Sequence, residues 1–244
     1  MDFQKRDIWE RTGGIGVLSL YSSHQNYLDE PEFIKLKLLE EIFGEPGLKG
    51  MIIKGSGRHF SAGADLEKLK QLAHKESSLI KKISAGKKLI RFIENAPIPV
   101  IAEISGVCFG GGLEIALACH IRICSDNAIF AFPEANYGIM PGLGGTITLS
   151  KLIGAGRSAE IILSGDIVDA QKAFELKLTD YVVPSKELHA FTLDFLDKMT
   201  AGRDIEVIHS VMKSIHNSQA MAFEKALEEE TKLFCALAVK NMQE

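Results

Sequence analysis

Two glutamates and two runs of small residues are the parts of this sequence that could do chemistry. Glu114 follows the triplet Gly110-Gly111-Gly112 and precedes the apolar run Ile115-Ala116-Leu117-Ala118. Glu134 follows Phe130-Ala131-Phe132-Pro133. A carboxyl group set beside apolar residues is a candidate acid or base, and a pair in unlike environments can divide those two roles. The small residues lie in Ser61-Ala62-Gly63-Ala64-Asp65-Leu66 and in the glycine triplet. Small residues let a backbone approach a ligand closely. A glycine run that opens a helix also offers free N–H groups at the positive end of the helix dipole. Such donors suit reactions that build negative charge on an oxygen. Plainer readings exist for each part: a tight strand-to-helix turn for the glycines, a capping charge for Glu114, and a turn charge after proline for Glu134.

The elements that must position these groups alternate through most of the chain. Residues 15–20 read as a strand, and Pro31 as the N-terminus of a helix whose apolar positions run from Phe33 to Phe43. Residues 44–50 are turn material and 51–54 a strand. Residues 67–74 read as a polar, lysine-rich helix suited to a mobile lid, and 79–94 as an amphipathic helix stopped by Asn95-Ala96-Pro97-Ile98-Pro99. A strand at 100–104, a glycine-rich turn at 106–112 and a helix at 113–118 follow. Strands are expected at 120–124 and 129–132, and helices at 146–153, 159–163 and 170–176, the last capped by Asp169. Residues 181–183 form the last strand, and the pattern is helical from Ser185 onward. The reading is an α/β core over residues 1–184 and a helical region over 185–244. The turn-strand-helix pattern near Gly55 and near Gly106 looks like one repeated unit.

Composition excludes several classes. The 244 residues are 46% hydrophobic and 25% charged, enough for a substantial core without metals or disulfides. A net charge of -4 gives no basic footprint for nucleic acid. Cys108, Cys119, Cys124 and Cys235 show no C-x-x-C spacing and read as buried thiols in a reducing compartment. Residues 1–14 are charged and polar, unlike a secretory leader. No apolar run approaches the roughly 18 residues of a membrane span, so the expectation is a cytoplasmic protein. The 7 histidines are scattered, without metal-ligand spacing, and no metal site is expected.

Seven blocks in order carry a resemblance. They are Asn26, Gly57-x-x-Phe60-Ser61-Ala62-Gly63-Ala64-Asp65, Pro99-Val100-Ile101-Ala102, Gly106-x-x-x-Gly110-Gly111-Gly112-Leu113-Glu114, Phe132-Pro133-Glu134, Gly138-x-x-Pro141-Gly142-x-Gly144-Gly145 and Leu163-Ser164-Gly165. With them the sequence resembles the crotonase family, whose commonest members are enoyl-CoA hydratases and isomerases. The resemblance implies a spiral of ββα repeats followed by helices that build homotrimers, usually homohexamers. It implies an oxyanion hole made by the N–H groups of Ala64 and Gly111. Glu114 and Glu134 would flank the reacting carbons and hold a water. Glu114 would activate that water for attack at Cβ, and Glu134 would give the proton to Cα. Coenzyme A would enter as part of the substrate, with no tightly bound cofactor and no metal.

By the same resemblance Ala62, Ala64, Asp65, Leu66 and Glu67 line the adenine and pantetheine, Gly111 contacts the substrate, and Arg58 lies near the CoA phosphates. Leu28 is a weaker candidate for that groove, and Phe109 and Met140 for the acyl pocket. His120 stands where relatives commonly have Asp and reads as a changed hydrogen-bond partner in the core, not a catalyst. The chain departs from the family pattern in residues 22–31 and at its end, Asn241-Met242-Gln243-Glu244, where relatives continue into another helix. That ending reads either as an open pocket, for a bulky acyl group or an acyl-carrier-protein thioester, or as an incomplete sequence. The leading expectation is a hydratase or dehydratase of enoyl thioesters. The alternatives are a double-bond isomerase, a specialised dehydratase or decarboxylase on a carrier-bound acyl group, and a catalytically silent scaffold or RNA-binding member. Intact glutamates argue against the scaffold and the acidic balance against RNA.

Overall fold

Strands that are apolar on both faces need cover on both sides, and that requirement organises the chain. The computed structural model describes residues 8–21 and 25–242. A six-stranded sheet contains β1 (Trp9–Thr12), β2 (Ile15–Leu20), β3 (Gly50–Gly55), β4 (Val100–Ile104), β6 (Ile121–Ser125) and β9 (Tyr181–Val183), in that order. β1 runs antiparallel to β2, and the other pairings in this sheet are parallel. A second sheet of three strands holds β5 (Val107–Phe109), β7 (Ile129–Ala131) and β8 (Val168–Asp169).

The two sheets are filled alternately, and this produces the repeat. β4 joins the large sheet, β5 joins the small one, and helix α4 (Gly111–Ala118) follows. β6 and β7 do the same and lead into a 3-10 turn (Pro133–Tyr137) and α5 (Gly145–Ile153). After β3, a parallel bridge from Ser61 to Cys108 hooks the chain to the small sheet before α2 (Leu66–Ala73). The unit expected near Gly55 and Gly106 is therefore one strand or bridge in each sheet, then a helix.

Period-two alternation sorts the large sheet's side chains. Leu18, Leu20, Met51, Ile53, Val100, Ala102 and Ile104 enter the main core. There they meet Leu39 and Ile42 of α1 (Leu36–Phe43) and Leu89, Ile90 and Ile93 of α3 (Glu76–Glu94). Ile15, Val17, Ile52, Ile101, Ile123 and Val183 face the other way, onto Leu188 and Leu196 of α8 (Leu188–Thr200). Between them run α6 (Ala155–Ser164) and α7 (Ala170–Glu175), and after them α9 (Ile205–Ala220) and α10 (Phe223–Asn241). Asp169 caps α7 as expected, accepting the Lys172 N–H at 2.8 Å. No residue of α10 is buried.

Three expectations differ. The helix placed from Pro31 begins at Leu36, whose N–H is taken by the Glu32 carboxylate at 3.3 Å while Lys35 stays extended. The turn at 106–112 contains β5, a strand too short to show alternation. Cys108, Cys119 and Cys124 are buried, but Cys235 is exposed on α10. Among the described residues no helix is long and apolar enough to cross a membrane.

Candidate active site

The small-residue stretches are brought together by β5. Ser61 donates its N–H to Val107 O at 3.0 Å, and Phe109 returns its N–H to Ser61 O at 2.9 Å. One turn further, Leu28 and Ala64 form a parallel bridge. Its bonds run from Leu28 N to Gly63 O (2.8 Å) and from Asp65 N to Leu28 O (3.1 Å). Those bonds flank Ala64, so its own N–H points away from Leu28. On the other side, Gly110 N–H closes the small sheet on Ala131 O at 2.9 Å, and α4 starts at Gly111. The N–H of a first helical residue has no partner within the helix. A Cβ built on Gly63 would lie 3.5 Å from Gly111 N, so the two donor segments are neighbours.

Glu114 projects from the first turn of α4 and is only 3% exposed. Its Oε1 accepts the N–H groups of Leu143 and Gly145, each at 2.7 Å. The approach is tight: a Cβ on Gly145 would stand 2.9 Å from Glu114 Cγ and 2.8 Å from Phe132 Cζ. Burial pushes the Glu114 carboxyl up to about 7, against the pull of those two N–H groups, and the charge of Glu134 adds to the rise. Glu134 lies in the 3-10 turn after Pro133. Burial also raises it to about 7, and its Oε2 is buried without a hydrogen-bond partner. Gly110 sits under it at φ +49°, and a Cβ there would meet Glu134 Oε1 at 2.7 Å. Backbone angle and space both demand glycine at that position.

Two clefts meet at Glu134, and Glu114 lines the smaller of them. The larger, about 510 Å³, is lined by Ala62, Ala64, Asp65, Leu66, Glu67, Phe109, Gly110, Glu134 and Tyr137, among others. The smaller, about 240 Å³, is lined by Leu28, Ala64, Leu69, Leu72, Ile83, Gly111, Glu114, Glu134, Met140 and Leu143, among others. Ala64 and Glu134 belong to both. Ala62, Asp65, Leu66 and Glu67 thus share one cleft. Leu28, expected there, lines the smaller cleft instead. Phe109, expected beside Met140, lines the larger one. Arg58 is exposed and off both linings. His120 lines neither cleft: its Nδ1 accepts the Val100 N–H at 2.9 Å, and burial lowers its pKa to about 4. Sequence reasoning missed Leu143 and Gly145 as the anchors of Glu114. The Gly142-x-Gly144-Gly145 spacing was the signal, since a bare backbone is what a buried carboxylate can bind.

The profile of enoyl-CoA hydratase/isomerase matches residues 11–244. The chain belongs to the enoyl-CoA hydratase/isomerase family. A probable enoyl-CoA hydratase from Bacillus subtilis is 32% identical over 222 residues, 90% of this chain and 85% of that one. A crotonyl-CoA hydratase from Syntrophomonas wolfei is 36% identical over 165 residues, 67% of this chain and 63% of its own. The crystal structure of an enoyl-CoA hydratase from Bacillus anthracis superposes with a TM-score of 0.82 at 30% identity, over 93% of this chain and 88% of that one. The fold of this family member is the crotonase fold, as the resemblance implied. The seven motif blocks, from Asn26 to Gly165, lie within the residues that the family profile matches, with Glu114 and Glu134 both present.

Proposed function

We propose that the protein is a hydratase that adds water to, or removes it from, an α,β-unsaturated acyl-CoA thioester. The observation that carries this reading is the pair of carboxyls, each held at about 7, that face one cleft together, with Glu134 also opening onto a second. The thioester oxygen binds the N–H groups of Ala64 and Gly111, which take up negative charge as the enolate forms. Glu114, fixed through Oε1, keeps Oε2 for a water and draws a proton from it as it attacks Cβ. Glu134 delivers the proton to Cα, and takes it back in the dehydration direction. Its unpartnered Oε2 is suited to that exchange.

Coenzyme A occupies the larger cleft against Ala62, Asp65, Leu66 and Glu67, and the acyl group enters the smaller one past Met140. A carrier-protein thioester would present the same pantetheine arm. The scheme needs no metal. An isomerase requires only one proton-shuttling carboxyl, so two carboxyls with raised pKa favour hydration. Subunits associate through the helical C-terminal region as trimers or hexamers, consistent with the bare apolar side chains of α10.

The test is a panel of enoyl-CoA thioesters assayed for hydration and for double-bond migration. Glu134→Gln and Glu114→Gln are each expected to lower hydration by roughly 100-fold or more, the contribution typical of a positioned acid or base. Near-normal turnover of crotonyl-CoA by Glu134→Gln would sink the assignment.

A further inference from the structure

Between the end of β2 and the Ala64 donor lies a set of buried polar contacts that the reaction scheme leaves unused. Asn26 is 1% exposed and has φ +50°. Its Nδ2 donates to the carbonyls of Ser56 (2.9 Å) and His59 (2.7 Å), which gathers the loop leading to Ser61. Its own carbonyl accepts the Ser61 hydroxyl at 2.7 Å. The same Ser61 oxygen accepts the Gly63 N–H at 3.1 Å.

Gly63 is therefore gripped from both sides, by Ser61 Oγ on its N–H and by the Leu28 N–H on its carbonyl at 2.8 Å. That carbonyl belongs to the Gly63–Ala64 peptide, whose N–H is the Ala64 donor. In a planar trans peptide the N–H points opposite to the C=O, and no cis bond occurs among the described residues. Fixing the Gly63 carbonyl thus fixes the direction of the Ala64 N–H. Gly63, at φ +86°, is where this segment would otherwise rotate most freely. A larger residue cannot stiffen it, because a Cβ there would meet Phe109 O at 2.8 Å. A hydrogen bond from a neighbour is the remaining means of restraint.

We propose that Ser61, itself held by Asn26, is a positioning residue: its hydroxyl holds the N–H of the Ala62–Gly63 peptide and so limits rotation at Gly63, and together with the Leu28 N–H on the Gly63 carbonyl this aims the Ala64 N–H at the thioester oxygen. The inference rests on the hydratase reading of the site. Loss of one oxyanion-hole donor typically costs about 100- to 1,000-fold in kcat. A misaimed donor costs less, so Ser61→Ala is expected to lower kcat by roughly 10- to 100-fold. KM is expected to stay within about threefold, since the lost contact acts mainly in the transition state.

The deciding measurement is the infrared carbonyl stretch of isotope-labelled butyryl-CoA, which cannot be hydrated, bound to each protein. Wild type is expected to lower the stretch from its value in free ligand. Ser61→Ala should lose most of that lowering, and Ser61→Cys, a weaker acceptor of similar volume, should fall between. Retention of the full wild-type shift by Ser61→Ala overturns the inference and leaves the hydratase reading standing. Absence of any shift in wild type, together with absence of hydration, overturns the hydratase reading itself, and the inference with it. If Ser61→Ala fails to fold, the same comparison is made on Ser61→Cys, where a full wild-type shift with reduced kcat is again the overturning result.

Discussion

For water to add across a double bond near neutral pH, a base and an acid must both be at hand, and burial holds Glu114 and Glu134 near that point at about 7. Glu114 is partly compensated by two N–H donors, whereas the Oε2 of Glu134 has no partner. Interacting carboxyls titrate as a pair, in two macroscopic steps. On the proposed mechanism the singly protonated pair is the working form, so kcat/KM plotted against pH should be bell-shaped around neutrality; a flat profile would contradict the assignment. Stability responds as well. Both groups are raised from an ordinary 4.5 to about 7, so the folded protein binds more protons than the unfolded chain between those values. Their contribution is fully present below the unfolded pKa and is lost as pH rises through the folded one. Each pKa unit corresponds to about 1.4 kcal/mol. Glu134→Gln should therefore melt progressively higher than wild type as pH is raised from acid to mildly alkaline, by on the order of 1–3 kcal/mol. Thermal denaturation across that range checks the sign.

At the scale of elements, the turn between β5 and α4 sets the geometry. An alanine at Gly110 would have to adopt φ +49° and would drive its methyl into Glu134 Oε1. Gly110→Ala should cost about 1–3 kcal/mol of stability and lose more turnover than unfolding explains, because Glu134 is displaced; melting and kcat together test this. Helix α2 is a second sensitive element. It buries no residue, yet Leu69 and Leu72 line the smaller cleft. An element with few buried contacts opens readily. Its amides should exchange faster than those of α3 and slow on addition of a non-reacting acyl-CoA, as hydrogen exchange would show. The lid-like reading of residues 67–74 came from their polarity alone, and strands such as Val100–Ile104 were legible because their apolar runs are dense. Contacts through space were not legible. Leu143 and Gly145 reach Glu114 across 29 and 31 residues of chain, and backbone N–H groups carry no side-chain signature. The cleft that Phe109 faces was also hidden, since β5 has only 3 residues and its alternation cannot be read.

At the scale of the molecule, the C-terminal helices leave apolar surface bare. Phe223 is 73% and Phe234 66% exposed on α10, and Val211 and Ile215 are exposed on α9. Contiguous exposed apolar surface marks an association site. Sedimentation should find trimers or hexamers, and Phe223→Glu with Phe234→Glu should reduce the mass. The strand order of the large sheet has a different consequence. From β2 through β3, β4 and β6 to β9, each new parallel strand docks beside the one made before it. A ribosome, which releases the N-terminus first, delivers these strands in the sequence that the growing edge accepts. The stripe of Ile15, Val17, Ile52, Ile101 and Ile123 nevertheless stays uncovered until α8 has emerged. Transiently exposed hydrophobic surface is what chaperones shield. Until residues 188–200 have been made, the growing sheet keeps one apolar side that only this helix will cover, which makes that side the one for a chaperone to shield.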